Sequence, residues 1–158
     1  MHPSAQKVAA AAETLGVKIE ILEYAETTRS AQEAADAIGC EVAQIVKSLC
    51  FMVADAPVMA LVSGENQLDE KKLAGLCGVG RKKVKRANAE QVKTATGFSI
   101  GGVPPFGHTN PLTIFVDEDL LRFETVWAAA GTPFAVFAIA PDALVKECGG
   151  TAVSLKKE

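Results

Sequence analysis

The chain has 158 residues, 49% of them hydrophobic and 22% charged, with a formal net charge of −3. That length suits a single domain burying roughly 70% of its unfolded surface; the composition is globular rather than disordered, and the net charge argues against indiscriminate nucleic-acid binding. No apolar run approaches the ~20 residues that span a bilayer, and Met1-His2-Pro3-Ser4-Ala5-Gln6-Lys7 lacks the charged-then-apolar design of a signal peptide, so a cytoplasmic protein without a membrane partner is expected.

In chain order, residues 3–15 read as an amphipathic, Ala-rich helix stopped by Gly16. Lys18–Tyr24 roughly alternates and reads as a strand. Ser30, with Glu33 three residues on, predicts a capping box for a second helix that Gly39 ends. Val46–Ala54 and Val58–Val62 read as two strands of a hairpin around Asp55-Ala56-Pro57. A helix follows from Asp69 to about Cys77, and the basic segment Arg81–Arg86, interrupted by Val84, suggests a short edge strand. Asn88 caps a helix to Ala95, and Thr96–Pro111 is too rich in Gly and Pro for regular structure. Strands are expected at Thr113–Val116, Glu124–Trp127 and Pro133–Ile139, with a closing helix from Asp142 to Glu147 ended by Gly149-Gly150. The elements lack a strict βαβ rhythm. The expectation is one α/β (α+β) domain over residues 1–158, with a mixed, mostly antiparallel sheet and surrounding helices.

Three features carry chemistry. Lys47 lies inside the apolar, β-prone run Ile45–Val53. At a strand period of 2 it points with Ile45, Leu49 and Phe51, opposite Val46 and Ser48. Lysine is rarely buried without a partner, so its stem either snorkels to water from a strand end or its ammonium serves a pocket. Second, Lys71–Lys93 holds eight basic residues against Glu90 and carries +7, leaving −10 elsewhere. Such segregation fits a polyanionic partner on one face or a solvated edge that blocks strand aggregation. Third, Thr96–His108 packs four glycines and two prolines into 13 residues. It is either an ordinary turn or a rigid loop whose main-chain N–H groups receive an anion or developing oxyanion. It matches neither a dinucleotide fingerprint nor a P-loop. Cys40, Cys50, Cys77 and Cys148 have neither zinc-site nor disulfide spacing, and neither a metal nor a cofactor is called for.

Taken together, Ile45-Val46-Lys47-Ser48-Leu49, Arg81-Lys82-Lys83-Val84 and Ala95–Gly107 resemble the YbaK/EbsC family over nearly the whole chain. Its members are free-standing aminoacyl-tRNA deacylases, similar to the editing insertion of bacterial prolyl-tRNA synthetases. The resemblance implies trans-editing: hydrolysis of the ester on mischarged tRNA, proline tRNA first, with prolyl-tRNA synthetase as a possible partner. It implies that Lys47 is the catalytic residue. The loop containing Gly101, Gly102, Val103, Pro104 and Pro105 would shape the aminoacyl pocket, with Tyr24, Ser30, Ser48, His108 and Ala129 beside the substrate. Lys71, Lys72, Arg81, Lys82, Lys83, Lys85 and Arg86 would meet the acceptor stem. Cysteine-removing members usually carry Ser-Gly-Gly where this chain has Ala129-Ala130-Gly131, Gln in place of His108 and an aromatic residue near Ser30. These departures imply a different small side chain, alanine or 2-aminobutyrate. No Ser-His-Asp or Cys-His arrangement is evident, so water or a tRNA hydroxyl would attack. The alternative is a non-catalytic module that holds tRNA or a synthetase with the same fold.

Overall fold

The computed structural model describes residues 1–24 and 30–158. Among them, eight strands form two sheets. Strands β2 (Val46–Val53), β3 (Ala56–Ser63), β4 (Val84–Arg86), β5 (Thr113–Asp117) and β8 (Thr151–Val153) make a five-stranded sheet in the order β4-β2-β3-β5-β8. Strands β1 (Ile21–Glu23), β6 (Val126–Ala129) and β7 (Ala135–Ile139) make a three-stranded sheet in the order β1-β7-β6. Pairing is antiparallel except for β3–β5 and β5–β8. The expected mixed, mostly antiparallel architecture is thus split in two, joined by a parallel bridge between Ile45 and Trp127.

The central strand β3 is buried on both faces, which explains its unbroken apolar run. Met59 and Leu61 point with Val46 and Cys50 of β2 into the larger core, which lies beneath helix α1 (Pro3–Leu15) and against Val126, Ala128 and Phe137 of the smaller sheet. Val58, Ala60 and Val62 point the other way with Phe51 and Val53, onto Leu73 and Ala74 of helix α3 (Glu70–Leu76) and onto Leu155. A third cluster packs Ala34 and Ala35 of helix α2 (Ala31–Ile38) against Ile45 and Trp127, so α2 covers the junction of the sheets.

Local chemistry sets the boundaries. Pro3 opens α1 while the His2 ring nitrogen accepts from the Ser4 N–H, and Gly16 closes it at φ +75°. Ser30 accepts from the Glu33 N–H to start α2, without the reciprocal Glu33 contact of a full capping box. Helix α4 (Ala89–Thr96) does have that box, between Asn88 and Gln91. Helix α5 spans Pro141–Cys148, with Pro141 at its first position.

Several expectations shift. The first strand shrinks to Ile21–Glu23, and the hairpin turn falls on Ala54-Asp55, both at positive φ (48° and 67°), rather than on Asp55-Ala56-Pro57. Strand β6 begins at Val126 instead of Glu124, and β7 at Ala135 instead of Pro133. Strand β8 was not anticipated. Three residues carry too little periodicity to register; the strand exists because Phe115, Val116 and Asp117 offer a parallel edge.

Candidate active site

Where β2 of the larger sheet diverges from β6 of the smaller one, a cavity of about 310 Å³ opens. Its walls come from residues 45–49, from Ala128 and Ala129 of β6, and from Ala135 and Val136 of β7. Ile100, Gly101 and Val103 of the Gly/Pro loop line it too, with Ala31 and Ala34 of α2. Ser30, Trp127, Thr132, Pro133 and Arg86 complete the lining. The side chains are mostly small and apolar, and Lys47 and Arg86 are the cationic residues in the set.

Lys47 sits on the α3-facing side of β2 with Leu49 and Phe51, as its parity dictates. Its Nζ donates to the Asn66 carbonyl. That carbonyl is fixed from behind. Asn66 Nδ2 donates to Oδ2 of Asp117 (2.8 Å) and of Asp119 (2.9 Å). Asp117 is 1% exposed, and also accepts from the Ser63 N–H and, through Oδ1, from the Asp119 N–H. Lys156 closes the network with an ion pair to Asp119. Burial pushes the Lys47 ammonium below the usual lysine value; Asp117 opposes that shift and Arg86 adds to it.

The Gly/Pro loop is a packed wall. Phe98, Val103 and Phe106 are buried in the core, and the Thr96 hydroxyl donates to the Val92 carbonyl while accepting from the Phe98 N–H. Gly102 donates to the Ser99 carbonyl and accepts from the Gly131 N–H. A Cβ at Gly102 would lie 2.6 Å from Thr132 Cα, so only glycine permits this approach of the two loops.

Of the predicted site residues, the cavity gathers Lys47, Ser30, Ser48, Gly101, Val103 and Ala129, with Arg86 from the basic set. Tyr24, Gly102, Pro104, Pro105 and His108 do not line it. Tyr24 extends β1 by donating its N–H to the Phe134 carbonyl. Pro104 and Pro105 are buried behind the loop. His108 braces that loop, with Nε2 2.6 Å from the Pro104 carbonyl oxygen, and its ring faces a separate cleft beside Leu15 and Cys148. Burial lowers its pKa, the Pro104 carbonyl partly offsetting this. Within the basic set, Lys72 binds Ser154 Oγ and the Lys156 carbonyl, and Arg81 pairs with Glu70, so both are structural ties. Lys71, Lys82, Lys83 and Lys85 are exposed, without an ion pair among the described residues. Arg86 lies over the Phe51 ring, 5.5 Å from its centroid, and joins this surface to the cavity. Burial raises the thiol pKa of all four cysteines, which removes thiolate character from them.

Asn66, Asp117, Asp119, Thr132 and Trp127 were missed in the sequence. The acidic pair in Asp117-Glu118-Asp119 was the one local signal available.

Residues 25–147 match the profile of the aminoacyl-tRNA editing domain. The chain belongs to that family. This editing domain is 28% identical over 128 residues to EbsC of Enterococcus faecalis, named as a candidate Cys-tRNA(Pro)/Cys-tRNA(Cys) deacylase; the match covers 80% of this chain and 77% of EbsC. It is 40% identical over 98 residues to the proline–tRNA ligase of Maridesulfovibrio salexigens, covering 62% of this chain and 16% of the ligase. The crystal structure of a candidate trans-editing enzyme for prolyl-tRNA synthetase superposes with a TM-score of 0.94 at 45% identity, covering 100% of this chain and 99% of that one. The editing domain is accordingly an α+β aminoacyl-tRNA hydrolase. None of its described helices is long and apolar enough to cross a membrane.

Proposed function

We propose that residues 1–158 act as one cytoplasmic unit that hydrolyses proline tRNA mischarged with a small amino acid, namely alanine, 2-aminobutyrate or cysteine. The observation that carries this reading is the small, apolar cavity with Lys47 in its wall. Such walls accept a short neutral side chain.

In this mechanism the enzyme positions and stabilises. The Asn66 carbonyl accepts a hydrogen bond from one of the three Lys47 ammonium N–H groups. The remaining N–H groups are available to the terminal phosphate or to the oxyanion that develops as water, oriented by a tRNA hydroxyl, adds to the ester carbonyl. Collapse of that adduct breaks the ester C–O bond and returns a proton to the tRNA 3′-end oxygen. The Gly102 N–H is already used by Ser99, so of the two adjacent glycines Gly101 is the one that lines the cavity. Lys82, Lys83 and Lys85 would meet the acceptor stem, and prolyl-tRNA synthetase is the partner that shares the same tRNA.

The test is a panel of proline tRNAs charged with Ala, Cys, Ser, 2-aminobutyrate and Pro, compared by initial rate. Rapid release of one or more small non-cognate residues, with Pro spared, is the expected result. Lys47→Ala should slow that release ~100- to 1000-fold while tRNA affinity changes little. A Lys47→Ala rate equal to the wild type would take the catalytic role from Lys47, and a wild-type protein that leaves every mischarged tRNA intact would make the chain a binding module.

A further inference from the structure

Ser48 holds an unsatisfied polar atom in the cavity wall. In an antiparallel ladder, alternate residues direct their main-chain groups to the same edge. Lys47 and Leu49 face β3 across Val62 and Ala60, and Gly64 donates to the Ile45 carbonyl on that side. On the other edge, Ala87 donates to the Cys50 carbonyl and Ala54 to the Lys83 carbonyl. Val46, Ser48, Cys50 and Met52 therefore direct their main chain to the outer edge. Strand β4 covers that edge only from Phe51 to Val53, and the Ile45–Trp127 bridge closes it at the other end.

Ser48 falls in the gap. Neither the β3 nor the β4 pairing uses its N–H and C=O, and no loop or cap bond among the described residues reaches them. Its Oγ is shielded from solvent and is the one buried side-chain polar atom, among the described residues, without a hydrogen bond. Unpaired buried polar groups are costly and rare in native structures. A donor, an acceptor and a hydroxyl at one residue of a ligand-sized cavity match a ligand that carries its own donor and acceptor.

We infer that the Ser48 edge docks the main-chain part of the substrate's α-aminoacyl group: the ester carbonyl accepts from the Ser48 N–H, and the α-ammonium donates to the Ser48 carbonyl and hydroxyl. This rests on the deacylase reading and adds a chemical selection to it. The site takes free α-aminoacyl esters and rejects α-hydroxyacyl and N-acylated ones, so a tRNA carrying a peptide is spared.

Three measurements test it. Alanyl-tRNA should be cleaved about 10- to 100-fold faster than lactyl-tRNA, the span expected for a hydrogen bond from a charged donor, and N-acetylalanyl-tRNA should be slower still. Ser48→Ala should raise the melting temperature of the free protein, because it removes an unpaired hydroxyl. The same change should weaken binding of 3′-alanylamino-3′-deoxyadenosine, an amide-linked stand-in for the substrate, about 3- to 10-fold. In hydrogen exchange the Ser48 amide should exchange quickly while Lys47 and Leu49 are protected, and that analogue should slow it. Equal cleavage of alanyl- and lactyl-tRNA would overturn the inference and leave the deacylase standing. So would a lowered melting temperature in Ser48→Ala, or unchanged analogue binding. A wild-type protein that neither binds the analogue nor cleaves alanyl-, 2-aminobutyryl- or cysteinyl-tRNA would overturn both.

Discussion

Burial and charge act on Lys47 in opposite directions, and the balance is open to experiment. The ammonium is held by a carbonyl, pulled up in pKa by the buried Asp117 and pushed down by desolvation and by Arg86. If the charged form stabilises the oxyanion, deacylation declines as pH rises through the Lys47 pKa. That decline should sit below the ordinary lysine value of 10.5. Asp117→Asn removes the term that favours the ammonium, so the alkaline limb of kcat/KM should move to lower pH. Arg86→Gln removes a like charge, so the limb should move to higher pH. Asp119 and Lys156 stand in the same network and remain paired in both variants. Limbs that stay together, or that move in the same direction, would break the assignment. Asn66→Ala leaves the accepting carbonyl in place but frees its peptide from both carboxylates. The expected result is a fall in kcat of about 10-fold, the size of one misplaced electrostatic contact, with KM nearly unchanged.

At the scale of elements, two neighbouring glycines separate conformation from contact. Gly101 has φ +90°, and a Cβ there would meet only Pro133 Cγ at 3.6 Å. Gly101→Ala should cost about 1–3 kcal/mol of backbone strain, lowering the melting temperature by roughly 2–4 °C per kcal/mol. Gly102 has an ordinary φ but no room, because the Thr132 and Gly131 main chain lies within 2.8 Å of the added atom. Gly102→Ala should therefore be the more damaging, separating the two loops and the cavity wall they form; thermal melting of both variants gives the order. The hairpin offers the opposite sign. Ala54 and Asp55 both adopt positive φ, the geometry of a tight primed turn. Asp55→Gly should stabilise by about 1 kcal/mol, seen as a higher denaturant midpoint at constant m. These elements also show what local sequence can and cannot reveal. Lys47 and the Gly/Pro loop stand out because each breaks a local rule, a charge in an apolar strand and glycines beside prolines. Asp117 breaks none. It looks like the polar end of a strand, and its role exists only because parallel β3–β5 pairing brings it to Ser63, 54 residues away. The turn position was missed because Ala-Asp is a poor match to the Asn-Gly chemistry that usually marks such turns. His108 was drawn into the predicted site by its place in the loop, whereas its side chain turns back to hold Pro104.

Over the whole molecule, charge segregation has become two things. Lys72 and Arg81 are tied within the fold, Lys72 to the C-terminal residues Ser154, Lys156 and Glu158, and Arg81 to Glu70. Lys82, Lys83 and Lys85 project from the short turn and edge strand that end at Arg86, itself in the cavity wall. A tRNA acceptor stem laid along these lysines would bring its 3′ end towards the cavity. Each phosphate neutralised on a duplex contributes about 0.9 to the slope of log K against log salt. Replacing the three lysines by Glu should therefore weaken aminoacyl-tRNA processing and reduce that slope by about 2–3, with cleavage of a minimal aminoacyl-adenosine ester unaffected. Lys72→Ala should do the reverse: it loosens the C-terminal tie and lowers the melting temperature, while the salt slope stays that of the wild type. Paired salt titrations and melts of the two variants separate a docking face from a structural one. A triple variant whose salt slope matches the wild type would assign those lysines to guarding the β4 edge, and the acceptor stem to another face.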